Sequence, residues 1–234
     1  MKKILTTLSQ KWPEYLLEIL VITIGILGAF GLNRWNEQVR FENEQAQIIA
    51  NLNEEFTTNV ESLNSQIARL ERKIRACSQI MSYIHASKPL PDTILVDTLV
   101  NRIYDNPTWN PSTFVLTDLR NSGQLKALKN QQLKALLHQW EQHYENLREW
   151  YQLETSMFNR TMDFLTENGS ARNTLFSSRF GRSTFPQNNE MLFQSIEFEN
   201  LVAHNLMLTS GLYNIYQSQT LELISEILEE TKTE

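Results

Sequence analysis

Tyr15-Leu16-Leu17-Glu18-Ile19-Leu20-Val21-Ile22-Thr23-Ile24-Gly25-Ile26-Leu27-Gly28-Ala29-Phe30-Gly31-Leu32 decides how this chain is built. The stretch is apolar apart from Glu18 and Thr23. A bilayer with about 30 Å of hydrocarbon needs roughly 20 such residues in an α-helix. A soluble core helix would interrupt the run with polar residues every third or fourth position. Trp12 and Tyr15 precede it and Trp35 follows it, as in the aromatic belt of a membrane interface. Pro13 suits the first turn of a helix, where its missing N–H costs nothing.

Two readings compete for this run. Lys2, Lys3 and Lys11 with Ala29-Phe30-Gly31 resemble a cleavable signal peptide. The run is long for a signal core, carries a carboxylate, and passes without a break into further helical patterning. An uncleaved anchor is therefore expected: residues 1–14 as a short cytoplasmic N-terminus, 15–35 as a transmembrane helix and 36–234 as an extracytoplasmic domain. Bases favour the cytoplasmic side. Residues 1–18 carry three bases and two acids, while the rest carries 18 bases against 25 acids. A bacterial inner membrane with a periplasmic C-terminal domain fits that balance. The single cysteine, Cys77, excludes an intrachain disulfide.

Beyond the span, Ile49, Leu52, Phe56, Val60, Leu63, Ile67, Leu70, Ile74, Cys77, Met81 and Ile84 recur in steps of three and four. That is a heptad seam. No proline or glycine occurs between Leu32 and Pro89, so the spacing predicts one helix from the membrane to about His85, its outer part some 75–80 Å long. Ser87-Lys88-Pro89-Leu90-Pro91 should end it. Asp92 then caps a short helix from Thr93 to about Tyr104. Asn110-Pro111 reads as an N-cap with proline at the first helical position, and Gly123 as the stop of the helix that follows. Asn130 caps a second long helix. Its seam is Leu133, Leu137, Trp140, Tyr144, Leu147, Tyr151, Glu154, Phe158, Thr161 and Leu165, ending at Asn168-Gly169. Residues 169–187 look irregular. A last helix is expected from about Asn189 to Thr231, with Leu192, Ile196, Leu206, Leu212, Ile215, Leu223 and Ile227 as core and Gly211 as a weak point or close contact. Three long amphipathic helices must bury their stripes on one another, so the expected fold is all-α, an antiparallel helical bundle with short accessory helices.

No catalytic motif appears, and neither cofactor nor metal is expected. His138 and His143 are five residues apart, not the four that place two ligands on one helical face. Cys77 sits on the seam as a small hydrophobe. The net charge of −6 gives nucleic acid no footing. The candidate contact residues lie in the membrane helix: Glu18, Thr23, Gly25, Gly28 and Ala29, with Trp12, Tyr15 and Trp35 as interface anchors. Gly25-x-x-x-Ala29 is the small-xxx-small spacing that lets membrane helices approach. A carboxylate in hydrocarbon faces a partner, or, near a helix start, the headgroups and the positive end of the dipole. Lipid and protein partners, as a homo-oligomer or within a membrane complex, are the expected contacts.

Two stretches carry a resemblance. One is Glu18 to Leu27 followed by Asn33-Arg34-Trp35-Asn36-Glu37. The other is Asn110-Pro111-Ser112-Thr113-Phe114 with Leu119-Arg120-Asn121-Ser122-Gly123-Gln124-Leu125 and Leu128 to Leu133. They resemble the bacterial single-pass membrane proteins of the domain of unknown function 6090. Leu17, where that family has glycine, and Gly28-Ala29-Phe30-Gly31 depart from its pattern. The resemblance implies a membrane anchor and no particular activity.

Overall fold

The computed structural model describes residues 2–85 and 89–232; the expected helix end at Ser87-Lys88 lies outside them. Among the described residues the chain is all-α and contains no strand. Its contacts form two compact units, Met1–Ala50 and Asn51–Glu234. Residues 36–50, assigned above to the folded domain, fall in the first.

The first unit is wholly helical and belongs to α1 (Lys2–His85). The helix begins well before Pro13, which therefore lies inside it rather than in its first turn. Nothing in Lys2–Trp12 breaks a helix, since neither glycine nor a second proline occurs there. From Tyr15 to Arg40 every side chain is exposed.

The second unit holds the rest of α1 and seven further α-helices: α2 (Thr93–Ile103), α3 (Phe114–Asn121), α4 (Gln124–Ala127), α5 (Gln131–Asn168), α6 (Ser177–Phe180), α7 (Ile196–Asn214) and α8 (Leu221–Glu230). Local chemistry sets their ends. Asp92 accepts from the Leu95 N–H at 3.0 Å and Asn130 from the Leu133 N–H at 2.9 Å, both as expected. Gly123, at φ +78°, ends α3 in the left-handed region that only glycine adopts without strain.

Three expectations are corrected here. Asn110-Pro111 does not start a helix; α3 begins at Phe114, because α1 takes up the backbone of Ser112. The last helix starts at Ile196 with Ser195 as its cap, behind a 3₁₀ turn at Met191–Gln194. Ile196 is 65% exposed, not core. Finally, the segment taken as irregular contains a π-helix, Arg172–Phe176, running into α6, and a second π-helix, Ile215–Thr220, separates α7 from α8.

The core follows the two seams. Leu52, Phe56, Leu63, Ile67, Leu70 and Cys77 are buried on α1, and Leu133, Leu137, Trp140, Leu147, Glu154 and Leu165 on α5. Helix α5 packs on α7 and α8. Phe56 meets Trp140 edge-on at 5.3 Å, and Trp109 meets both Trp140 and Tyr216 in the same way. Gly211 is a close contact, not a weak point. A Cβ there would stand 2.8 Å from the Trp150 ring.

Candidate functional site

The first site is the apolar stretch of α1. Helical geometry turns about 100° per residue, so Glu18, Gly25 and Ala29 fall within roughly 40° of arc, with Gly28 about 60° from Gly25. Thr23 lies about 160° from Gly25, on the opposite side. The structure thus groups four of the five expected contact residues and separates the fifth. The Thr23 hydroxyl donates to the Ile19 carbonyl at 2.7 Å, which satisfies it within its own helix. A Cβ at Gly25, Gly28 or Gly31 would meet nothing within 4 Å, so that side is open to a neighbouring helix. Trp12, Tyr15 and Trp35 are exposed at 58%, 47% and 68%. The rise from Tyr15 to Trp35 is about 30 Å, one hydrocarbon thickness. One helix of the described residues is long and apolar enough to cross a membrane, with a best-window mean hydropathy of 2.2 and none of that window buried.

The second unit contains polar groups that the seams did not announce. The Lys73 ammonium lies 3.3 Å from the Glu154 carboxylate, and both side chains are sealed from solvent. Cys77, one turn from Lys73, is buried too. Burial pushes its thiol up to about 12, against the pull of Lys73, so it is no thiolate nucleophile at neutral pH. The other Glu154 oxygen has no hydrogen-bond partner among the described residues, nor do Asn205 Oδ1 and Thr209 Oγ1. Asn205 donates to Thr161 and to the Leu201 carbonyl, each at 3.0 Å. Tyr216 donates to the Tyr151 hydroxyl at 2.8 Å and accepts the Trp109 N–H at 3.2 Å. Burial raises both phenols well above their ordinary range.

A clamp fixes the loop before α3. Glu55 accepts from the Ser112 hydroxyl at 2.6 Å and the Val115 N–H at 3.1 Å. Asn59 donates to the Ser112 carbonyl at 2.9 Å and accepts its N–H at 2.8 Å. This explains the delayed start of α3: the Ser112 N–H and C=O are already taken. Glu55, Asn59 and Lys73 were missed in sequence because apolar periodicity cannot see a polar residue turned inward. Beside α3 and α5 lies a cleft of about 290 Å³. Trp140 and Leu116 line it, Tyr144 stacks on Trp140 at 6.3 Å, and Arg120 pairs with Glu141 at 3.1 Å.

The histidines stay apart. His138 is exposed; His143 is half-buried and shares a 2.8 Å hydrogen bond with Thr220; His204 is exposed. The side chain of His85 lies outside the described residues. Among the described residues no group of three His, Cys, Asp or Glu side chains could hold a metal ion.

These observations define an all-α protein with one helix suited to crossing a membrane. The chain belongs to the family of unknown function DUF6090, whose model matches residues 18–203. The match begins at Glu18 and takes in both stretches quoted for the resemblance. No curated protein and no solved structure matches the chain.

Proposed function

We propose that this protein is a single-pass, membrane-anchored helical scaffold that assembles with itself or as an accessory subunit of an inner-membrane complex, and is not an enzyme. In this reading residues 15–35 span a bacterial inner membrane, the N-terminus is cytoplasmic, and the later helices form an antiparallel periplasmic bundle. The observation that carries the proposal is the open side of α1. Glu18, Gly25, Gly28 and Ala29 share it, no side chain of this chain covers it, and its small residues allow the closest helix approach. The test is the mass of the full chain in mild detergent, together with cross-linking in cells. An assembly in detergent, or a cross-linked partner in cells, supports the proposal. A lone monomer with no captured partner refutes it.

One observation favours a second reading, an extracytoplasmic sensor that signals through a partner. The Trp140–Tyr144 cleft has an aromatic wall and a few converging polar groups, the ingredients of a small-molecule site. Thermal-shift screening against metabolite pools would reveal stabilisation on this reading, and a flat response throughout would count against it.

A further inference from the structure

Residues 170–189 differ in chemistry from the rest of the chain. They contain Arg172, Arg179 and Arg182 and no aspartate, glutamate or lysine. The full sequence has 21 bases and 27 acids, so the remainder is left with 18 bases against 27 acids. The segment is firmly folded. Arg172 donates to the Phe180 and Gly181 carbonyls, and Arg182 pairs with the buried Asp97 of α2. Asn173 accepts the Ser183 N–H at 2.7 Å, and Asn189 both accepts the Ser170 N–H and donates to Asp97. Thr93, at the start of α2, donates to Glu190.

These bonds hold large apolar side chains out in solvent. Ile94 is 74% exposed, Phe185 76% and Met191 58%. Ile94 also borders the same cavity as Ser178 and Arg182, which brings the start of α2 and the arginine segment onto one surface. Arg179 lies over the Phe180 ring, 5.2 Å from its centre. Aromatic residues, methionine and arginine without lysine or acids are the composition of a protein–protein interface core. A lipid surface calls for clusters of four to eight bases, and here there are three, one of them neutralised by Asp97.

The same unit carries a surface of opposite sign. Helix α8 exposes Glu222, Glu226 and Glu229. Beside it and α5 runs an open groove of about 390 Å³ whose lining includes Gln142, His143, Gln219, Glu222, Leu223 and Glu226, and neither lysine nor arginine. We infer that the arginine and phenylalanine surface of residues 170–191 docks on the Glu222/Glu226 groove of a second copy of this chain. The charges are complementary, and Phe185 supplies an anchor for the half-buried Leu223. Because two different patches meet, the contact is head-to-tail and builds rings or open arrays rather than closed pairs. It rests on the self-assembly reading above and adds a contact outside the membrane helix.

The test uses the full chain in mild detergent, with mass photometry across a dilution series. Arg179→Glu, Phe185→Ser and Glu226→Arg alter exposed side chains, and circular dichroism with melting curves confirms that each variant is folded. Each should weaken association about tenfold or more. Mixing Arg179→Glu with Glu226→Arg should restore a complex that neither forms alone. If all three variants associate like the wild type while Gly25→Leu abolishes assembly, the docking is wrong and the self-assembly reading stands. A wild-type chain that is monomeric at every concentration defeats both. If Arg179→Glu weakens association and mixing does not restore it, the inference fails. If the same variant instead loses binding to phosphatidylglycerol vesicles with assembly unchanged, the surface is a lipid contact and the inference also fails.

Discussion

Lys73 and Glu154 enter the core together, and each depends on the other. Removing one partner of a buried pair leaves an uncompensated charge, which costs about 3–5 kcal/mol. Lys73→Met should therefore lower the denaturation midpoint sharply. Lys73→Met combined with Glu154→Leu should recover most of that loss, since a well-packed apolar pair replaces a buried ion pair at little cost. Equal losses in the single and double variants would contradict the pairing. Cys77 makes a second prediction. Buried, with its thiol held at about 12, it should resist iodoacetamide at pH 8 in the native protein and react once guanidinium unfolds the chain. His143 makes a third. Burial lowers its folded value below the ordinary 6.5, so its contribution to stability is full above 6.5 and is lost as pH falls through the folded value. The neutral ring bonded to Thr220 is the form the fold accepts. His143→Gln should flatten that acid-side loss of stability in thermal melts, and a slope identical to wild type would count against this role.

At the scale of elements, Gly211 gives the clearest expectation. Gly211→Ala places a methyl group against the Trp150 ring and should destabilise by about 1–3 kcal/mol. Gly211→Ala combined with Trp150→Leu should show less than the sum of the single effects, because the clash disappears. Much of this level was legible in the sequence. Asp92, Ser195 and Asn130 are short polar residues before apolar runs, although only the first and last were expected as caps. Gly123 announced its stop because nothing else takes φ +78° without strain. Both seams were readable from their steps of three and four, Glu154 included. What stayed hidden depended on tertiary partners. Ser112 looked ready to open a helix until Glu55 and Asn59, more than 50 residues away, claimed its backbone. The two π-helices have no residue signature, since they arise where one extra residue must be absorbed to keep both flanking helices in contact. Ile196 fitted an apolar stripe and yet faces outward, because the 3₁₀ turn before it resets the phase of the helix.

For the whole molecule, the sequence was most explicit at Tyr15–Leu32. Side chains exposed there throughout, with an aromatic at each end about one hydrocarbon thickness apart, need lipid or a partner to cover them. The candidate face was only partly legible. Residue type singled out Glu18, Gly25, Gly28, Ala29 and Thr23 together, whereas helical phase puts Thr23 on the far side and gives its hydroxyl to Ile19. The polar core of the second unit was not legible at all beyond Glu154 and Thr161. The most direct test of the membrane face is single-cysteine cross-linking in cells, in a Cys77→Ala background of the full chain. Cysteines placed at each position from 18 to 32 should give cross-linked species that peak at 18, 25 and 29 and fall to a minimum at 23. Uniform cross-linking along the helix, or none at any position, would contradict the proposal that this face holds the assembly together.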